Sequence, residues 1–174
     1  CDSRDNWVAL APRKHPWLAA AEGAGVNALV FSYDRGLANA SYSRISMHTI
    51  RHNFKTGFVW DNDPFATNLF AHPYHGNLYF NSARSNGLNF WASVPYALCG
   101  SLMWEFCGEN EPPAINDVFA TALGGPFIGE MTNRVSHLVL DDSRRGFPRF
   151  AREALAFLVN PIQGFNRLLR GDAW

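Results

Sequence analysis

Apolar residues recur along this chain with the spacing of α-helices rather than with the alternation of strands. Residues 17–33 are rich in alanine, and Leu18, Ala21, Gly25 and Leu29 fall on one side. This spacing predicts an amphipathic or interfacial helix of roughly four turns. Because no series of alternating segments follows, the pattern predicts an all-α fold.

Glycine and proline divide the rest of the chain into further predicted helices. The predicted features are a helix after Ser43, a break at Gly57 and Pro64, a helix from about residue 115 to 140 interrupted near residues 124–129, and a helical stretch over residues 147–171 that breaks at Asn160–Pro161. We find no internal repeat. The prediction is a compact bundle of about five to six helices with kinked or broken segments, forming one domain over residues 17–174.

Two neighbouring stretches lack any fixed charge. They cover residues 64–83 and 85–104, each twenty residues long, which is the length of a bilayer crossing. Asparagine, proline and glycine interrupt both, so neither has the continuous Leu, Ile and Val content of a standard span. Helices packed in a protein interior or lying in a membrane interface are therefore the preferred interpretation, and a double span is the alternative.

Composition favours membrane association over nucleic-acid binding. Acidic and basic residues balance at 15 each, so no net field attracts nucleic acid. Charged residues make up 17% of the chain and aromatic residues 14%, which leaves few ions to cover a surface in water. The prediction is a membrane-associated domain whose surface contacts membrane lipid or a membrane protein.

Cysteine positions add one expectation at the N-terminus. A chain that starts at Cys1 fits a mature bacterial lipoprotein, in which this residue carries acyl chains. We therefore expect lipid attachment at Cys1 and a polar tether over residues 1–16, although a cut chain has the same appearance. Cys99 and Cys107 lie eight residues apart in one predicted helix, roughly 12 Å between Cα atoms, which is beyond disulfide reach.

A polar stripe runs along the predicted helix that contains "HPYHGNLYFNSARSNG". His72 precedes Pro73 and is expected just before the helix, because proline disfavours the α conformation in the residue before it. Asn77, Asn81 and Arg84 follow at spacings of four and three and share one face. Since an unpaired buried amide costs about 1–3 kcal/mol, these groups require partners on other helices.

Candidate partners occur in the segments that follow. Glu105 and Glu109 recur at helical spacing, Glu130 is placed to pair with Arg134, and Asn116 or Asp117 is positioned to cap a helix. Glycines near residues 124–129 would let two backbones approach closely. The predicted polar network comprises Asp61, Asp63, Asn77, Asn81, Arg84, Glu109, Asn116, Asp117 and Arg134.

Three motif-rich runs together resemble a known family. They are "WDNDPFATNLFAHPYHGNLYFNSARSNG", "WEFCGENEPPAINDVFATALGGPFIGEMTNR" and "NPIQGFNRLLRG". Over approximately residues 17–171 the chain is similar to an uncharacterised bacterial envelope family, domain of unknown function 3943. The resemblance implies a helical membrane-associated domain in the Gram-negative envelope, on the periplasmic face of a membrane, the outer membrane in our interpretation. It implies no activity and no catalytic residue.

Two function hypotheses stay open. The first is a non-catalytic scaffold or docking domain for a membrane or outer-membrane partner, in which the polar network fixes helix packing. The alternative is a hydrolase of an envelope lipid or cell-wall substrate, with catalytic candidates His72, His75, Glu105 and Glu130.

No cofactor is predicted. A divalent metal is the minority possibility, with His72, His75, Glu105 and Glu109 as candidate ligands. Their spacing matches none of the common zinc or di-iron signatures.

Overall fold

A computed structural model describes residues 14–173, which form seven helices and no β-strand. Cys1 and most of the predicted tether lie outside the described residues. The helices are α1 (Pro16–Gly36), α2 (Met47–Thr56), α3 (a π-helical turn at Thr67–Ala71 that continues into His72–Ser85), α4 (Phe90–Cys107), α5 (Ile115–Phe119, a π-helical turn at Ala120–Gly124, then Gly125–Val139), α6 (Phe147–Val159) and α7 (Pro161–Arg170). The predicted all-α class is confirmed.

The predicted number of helices was too low because the C-terminal stretch is two helices. Pro161 lacks the amide hydrogen that would continue α6. The Oδ1 atom of Asn160 accepts the backbone N–H of Gln163 at 3.2 Å and caps α7 instead. The chain can therefore turn at this point, as its Asn-Pro sequence predicted.

A π-helical turn precedes a proline in both α3 and α5. His72 has φ −63° and ψ −47° and lies inside a continuous helix, so the prediction that it precedes the helix was wrong. Its N–H donates to the carbonyl of Thr67, five residues back. The wider turn moves preceding carbonyl groups away from the ring of Pro73, which lets the helix continue through the proline.

Contrary to the expectation of no internal repeat, the two π-helical turns share a short sequence pattern. Phe-Ala-Thr begins at residues 65 and 119, and Pro-x-x-Gly follows at residues 73–76 and 126–129. Both copies therefore place a wide turn, a proline and a glycine in the same order. The short repeat predicts the matching irregularities of α3 and α5.

Helix α3 lies at the centre of the bundle and packs most extensively on α5. A Cβ atom built on Gly125 would lie 2.5 Å from the Cα of Gly76, and one built on Gly76 would lie 2.9 Å from the Cα of Gly125. The predicted close approach at the glycines of α5 is confirmed. Helices α1 and α4 cover one side of α3, and α7 contacts it from another.

The interior is unusually polar for a domain of this size. Among the described residues, 18 buried residues are polar or charged and 11 are apolar. One apolar cluster joins Val26, Tyr79, Phe80 and Ala97, and a second joins Ala19, Ala83 and Leu88. Hydrogen bonds between buried polar side chains must therefore hold much of the interior together.

Within residues 14–173, no helix has both the length and the apolar character that a membrane crossing requires. Cys99 and Cys107 lie in α4 as free thiols, as expected from their spacing.

Gly76→Ala is expected to destabilise the fold by more than about 3 kcal/mol, because the new methyl group would overlap the backbone of α5. Gly25→Ala in α1 is the matched control, since nothing lies within 4 Å of its added Cβ. The control should stabilise the fold by up to about 1 kcal/mol through helix propensity. Urea unfolding measures both, and equal effects of the two variants would contradict the backbone contact.

Candidate functional site: an acidic cavity beside His72

A cavity of about 310 Å³ opens where α1, the N-terminal turns of α3 and α5, and the C-terminal end of α4 meet. No lysine or arginine is among the described residues that line it. The acidic residues that line it are Asp34, Asp61, Asp63, Glu109, Glu111 and Asp117. The cavity therefore concentrates carboxyl groups in a chain whose formal net charge is zero.

An isolated parallel β-bridge fixes the loop that supplies two of these carboxyl groups. The N–H of Val59 donates to the carbonyl of Pro113, and the N–H of Ile115 donates to the carbonyl of Val59, both at 2.9 Å. This bridge fastens the segment before α3 to the start of α5. Asp61 and Asp63 consequently lie beside Asp117, more than fifty residues away in sequence.

Asn116 holds two of the carboxyl groups. Its Nδ2 atom donates to Asp61 Oδ1 at 2.6 Å and to Asp117 Oδ1 at 2.9 Å, while its Oδ1 accepts the N–H of Asp61 at 3.2 Å. The predicted capping role of Asn116 or Asp117 was wrong. The N-cap residue of α5 is Ala114; the Asp117 side chain lines the cavity, and Asn116 donates to the Asp61 and Asp117 carboxyl groups.

Glu105 satisfies the start of α5 from the neighbouring helix. Its side chain is buried, and Oε2 accepts the N–H of Ala114 at 2.9 Å. Glu109 lies beyond the end of α4, and its backbone carbonyl accepts from Asn53 Nδ2 at 3.1 Å. Burial raises the pKa of both glutamates, and repulsion from neighbouring carboxylates adds to the rise.

His72 faces two carboxyl groups. Its Nε2 atom is 3.4 Å from Asp117 Oδ1 and 3.6 Å from Asp63 Oδ2. The atom is buried, and no hydrogen-bond partner among the described residues meets it. Burial lowers the pKa of His72, while electrostatic attraction to Asp63 and Asp61 opposes that shift.

Asp117 keeps its proton more readily than an ordinary aspartate. Burial, followed by repulsion from Glu105 and Asp61, raises the pKa of Asp117 to about 8.

His75 has a different environment from His72. Its ring stacks on Tyr79 at 4.8 Å between centroids and meets the edge of Trp104 at 5.5 Å. Burial lowers the pKa of His75 to about 4, so the imidazole is neutral at physiological pH. The Tyr79 hydroxyl lies 3.2 Å from His75 Nε2 and also bonds Asn27 of α1.

The remaining predicted polar residues form a second group along α3 and α5. Asn81 Nδ2 donates to Asn77 at 2.8 Å, and Asn160 Nδ2 donates to Asn81 Oδ1 at 2.9 Å. Arg84 donates to both carboxylate oxygens of Glu130, at 2.8 and 3.3 Å. The predicted pair of Glu130 and Arg134 is present at 2.8 Å.

The structure thus divides the predicted network between the cavity and this second group. Asp61, Asp63, Glu109, Asn116 and Asp117 belong to the cavity group. Asn77, Asn81, Arg84 and Arg134 belong to the second group, which also contains Glu130, predicted as a catalytic candidate and as the partner of Arg134.

Several buried amides were missed from the sequence. Asn27, Asn53, Asn160 and Gln163 are buried and join helices through side-chain hydrogen bonds. Asparagine is disfavoured inside helices, so its repeated presence in apolar segments is the signal that could have identified them. The position of each amide relative to its partner depends on the tertiary packing.

Comparison with known families gives one match. The family described as Domain of unknown function (DUF3943) matches residues 57–162, which is more than half of the chain and includes α3, α4 and α5. No curated protein and no solved structure matches the chain. The matched range contains Asp61, Asp63, His72 and Asp117, which line the acidic cavity, and also the buried Glu105.

Arg84→Met should destabilise the fold by about 3 kcal/mol, because it leaves the largely buried Glu130 carboxylate with poorer pairing. Arg134→Met is the control at the same carboxylate. Its side chain is 74% exposed, so we expect a loss below about 0.5 kcal/mol. Chemical denaturation distinguishes the variants, and a larger loss for Arg134→Met would refute this assignment.

Glu109→Gln is expected to stabilise the fold in mildly alkaline buffer containing a chelator. The ordinary pKa of glutamate is 4.5 and the folded values of this pair are raised, so the folded state binds more protons than the unfolded state. The contribution of this pair to the free energy of unfolding is therefore greatest below pH 4.5, the ordinary pKa of glutamate. It declines as the pH rises toward the raised pKa values of the folded state. The variant removes one of the two charges that must be buried.

Urea midpoints at about pH 5 and pH 8 test this dependence. The advantage of Glu109→Gln should be larger at the higher pH. Glu111→Gln, at an exposed position beside the same cavity, is the control and should change the midpoints little. An advantage of Glu109→Gln that shrinks as pH rises would show that the sign is wrong.

Proposed function

The chain belongs to the family described as Domain of unknown function (DUF3943), and we propose that it is a non-catalytic, membrane-associated component of the bacterial cell envelope. In this proposal the helical domain lies on the periplasmic face of a membrane, the outer membrane. It serves there as a scaffold or docking domain for an envelope membrane protein. The proposed partners are membrane lipid and that protein.

The supporting observation is the inverted distribution of polar and apolar side chains. Among the described residues, 29 large apolar side chains are exposed, whereas buried polar residues outnumber buried apolar ones. Scattered exposed apolar residues are normal, but large contiguous patches mark interaction or membrane surfaces. A domain of this kind gains stability when lipid or a partner covers its exterior.

Helix α5 carries the most continuous exposed apolar face. The exposed side chains recur at helical spacing over about 28 Å of the helix. They are Phe119, Leu123, Phe127, Met131, Val135 and Leu138. An apolar stripe of this length on one face is typical of helices that lie against a membrane interface or a partner helix.

Tryptophan side chains reinforce this interpretation. Trp17, Trp60 and Trp91 are 87%, 75% and 80% exposed, although tryptophan is among the residues with most to gain from burial. Tryptophan is enriched at headgroup depth, where its ring is apolar and its N–H meets water. The three residues come from α1, the loop before α3 and α4, which makes the proposed contact surface broad.

The interior is suited to a scaffold. Amide hydrogen bonds connect α1 with α4, α3 with α5, and α3 with the start of α7. Such directional bonds specify one packing arrangement without performing chemistry. The helices would consequently keep a fixed arrangement while their outer faces contact lipid and protein.

We expect the full chain to sediment with vesicles of phosphatidylethanolamine and phosphatidylglycerol. Phe127→Asp combined with Met131→Asp should weaken this binding at least tenfold, because burial of two such side chains contributes about 3–5 kcal/mol. Ser32→Asp adds a carboxylate at an exposed polar position of α1 and is the control. Binding that is equal for the double variant and the control would contradict lipid contact through α5.

A second function is favoured by the presence of imidazole and carboxyl groups at the same cavity. His72, His75 and Asp117 line it, whereas Glu105 is buried behind it and accepts the N–H of Ala114. A neutral imidazole beside protonated carboxyl groups could provide the base and acid for hydrolysis of an envelope lipid. Release of fatty acid from the same vesicles tests this alternative, and loss of turnover in a folded His75→Ala variant would support it.

A further inference from the structure

We propose that Asp63, His72 and Asp117 form a binding site for one divalent transition-metal ion of the zinc class. The three residues come from the loop before α3, the start of the α-helical part of α3 and the first turn of α5. One donor atom from each lies within 4.8 Å of the other two. The metal site does not depend on the proposed docking function. A metal-dependent hydrolase, in contrast, would depend on the metal site.

The distances at His72 fit ligands of a common ion better than they fit hydrogen bonds. Nε2 is 3.4 Å from Asp117 Oδ1 and 3.6 Å from Asp63 Oδ2, and good N–H···O bonds are shorter than about 3.2 Å. Zinc binds nitrogen and oxygen at about 2.0–2.2 Å, so a tetrahedral site holds neighbouring donors about 3.3–3.6 Å apart. Both measured separations fall in that range.

The buried Nε2 atom of His72 is a second, independent indication. It has no hydrogen-bond partner among residues 14–173, although buried polar atoms are nearly always paired. The atom is aimed at two carboxylate oxygens, and a neutral imidazole nitrogen is a common metal donor. A metal ion would satisfy this nitrogen and both carboxylates together.

No described lysine or arginine pairs with the acidic residues of this cavity. Six acidic residues line the cavity, and none of its described lining residues is lysine or arginine. The five described arginines with carboxylate partners within 4 Å pair with Glu130, Asp141, Asp142 or Glu153, all outside this cavity lining. A divalent ion would supply the positive charge that the surrounding protein does not.

The surroundings hold two of the ligands in place. Asn116 donates to Asp117 Oδ1 at 2.9 Å and also to the neighbouring Asp61. The bond to Oδ1 orients the Asp117 carboxylate. Outer contacts of this kind fix ligands in metal sites. His72 is held in the helix that follows the π-helical turn, while Asp63, whose side chain is 37% exposed, can adjust to the ion.

The ligand set and the cavity specify the class of ion. One imidazole and two carboxylates suit zinc, iron and manganese better than calcium or magnesium, which prefer oxygen ligands. Three protein donors leave a coordination position that water can fill from the cavity of about 310 Å³. The proposed site therefore has the open form found in reactive zinc centres rather than the closed form of structural ones.

The test is metal binding by the full chain. Protein stripped with a chelator is dialysed against Zn²⁺, and elemental analysis should find one ion per chain. Titration against a chromophoric chelator then measures affinity. Asp117→Asn and His72→Gln, which keep side-chain size similar, should each weaken binding about a hundredfold or more, since even outer-contact changes cost 10–100-fold.

His48→Ala removes an exposed imidazole on α2 and is the control, which should bind as the unchanged chain does. Far-UV circular dichroism confirms that each variant is folded, and Asp63→Asn replaces any variant that is not. Absence of stoichiometric zinc, or equal affinity in the three ligand variants and the control, would overturn the site. Calcium binding as tight as zinc binding at these residues would overturn the transition-metal assignment.

Discussion

The contact between the backbones of α3 and α5 determines how the polar side chains of the cavity and of the bundle interior are positioned. Gly76 and Gly125 meet without side chains between them, and the packing of the two helices carries His72 toward Asp117. A Cβ at either glycine would separate the helices and widen this gap. The same crossing places Asn81 against the carbonyl of Gly129, so the interior hydrogen bonds depend on it as well.

The π-helical turns of α3 and α5 let both helices continue through their prolines. The backbone contact between α3 and α5 and the cavity residues His72 and Asp117 therefore occur in the same two helices. Each wide turn precedes a proline, and each keeps the helix continuous where a proline would otherwise end it. His72 therefore points from a helix of fixed geometry rather than from a loop. The β-bridge between Val59 and Ala114 then brings the acidic loop to the same place, which joins three distant segments in one cavity.

This domain buries many polar side chains and exposes many large apolar ones. Hydrogen bonds fix the internal arrangement, while the outer surface retains the apolar area that a globular protein normally buries. The chain thus relies on directional contacts for specificity and has a large surface available for a nonaqueous environment. The acidic cavity is a separate chemical feature, because carboxyl groups and imidazoles line it instead of an apolar face.

The sequence by itself determined the helical class, the break at Asn160–Pro161, the pairing of Glu130 with Arg134 and the close approach at the α5 glycines. These features depend on local spacing and on the conformational limits of proline and glycine, which a sequence displays directly. Only the tertiary structure decided that His72 lies inside a helix and that Asp63 lies beside Asp117. It also decided that Asn116 donates hydrogen bonds to two carboxyl groups instead of capping α5. Those outcomes depend on the register of segments more than fifty residues apart, and helical periodicity carries no information about that register.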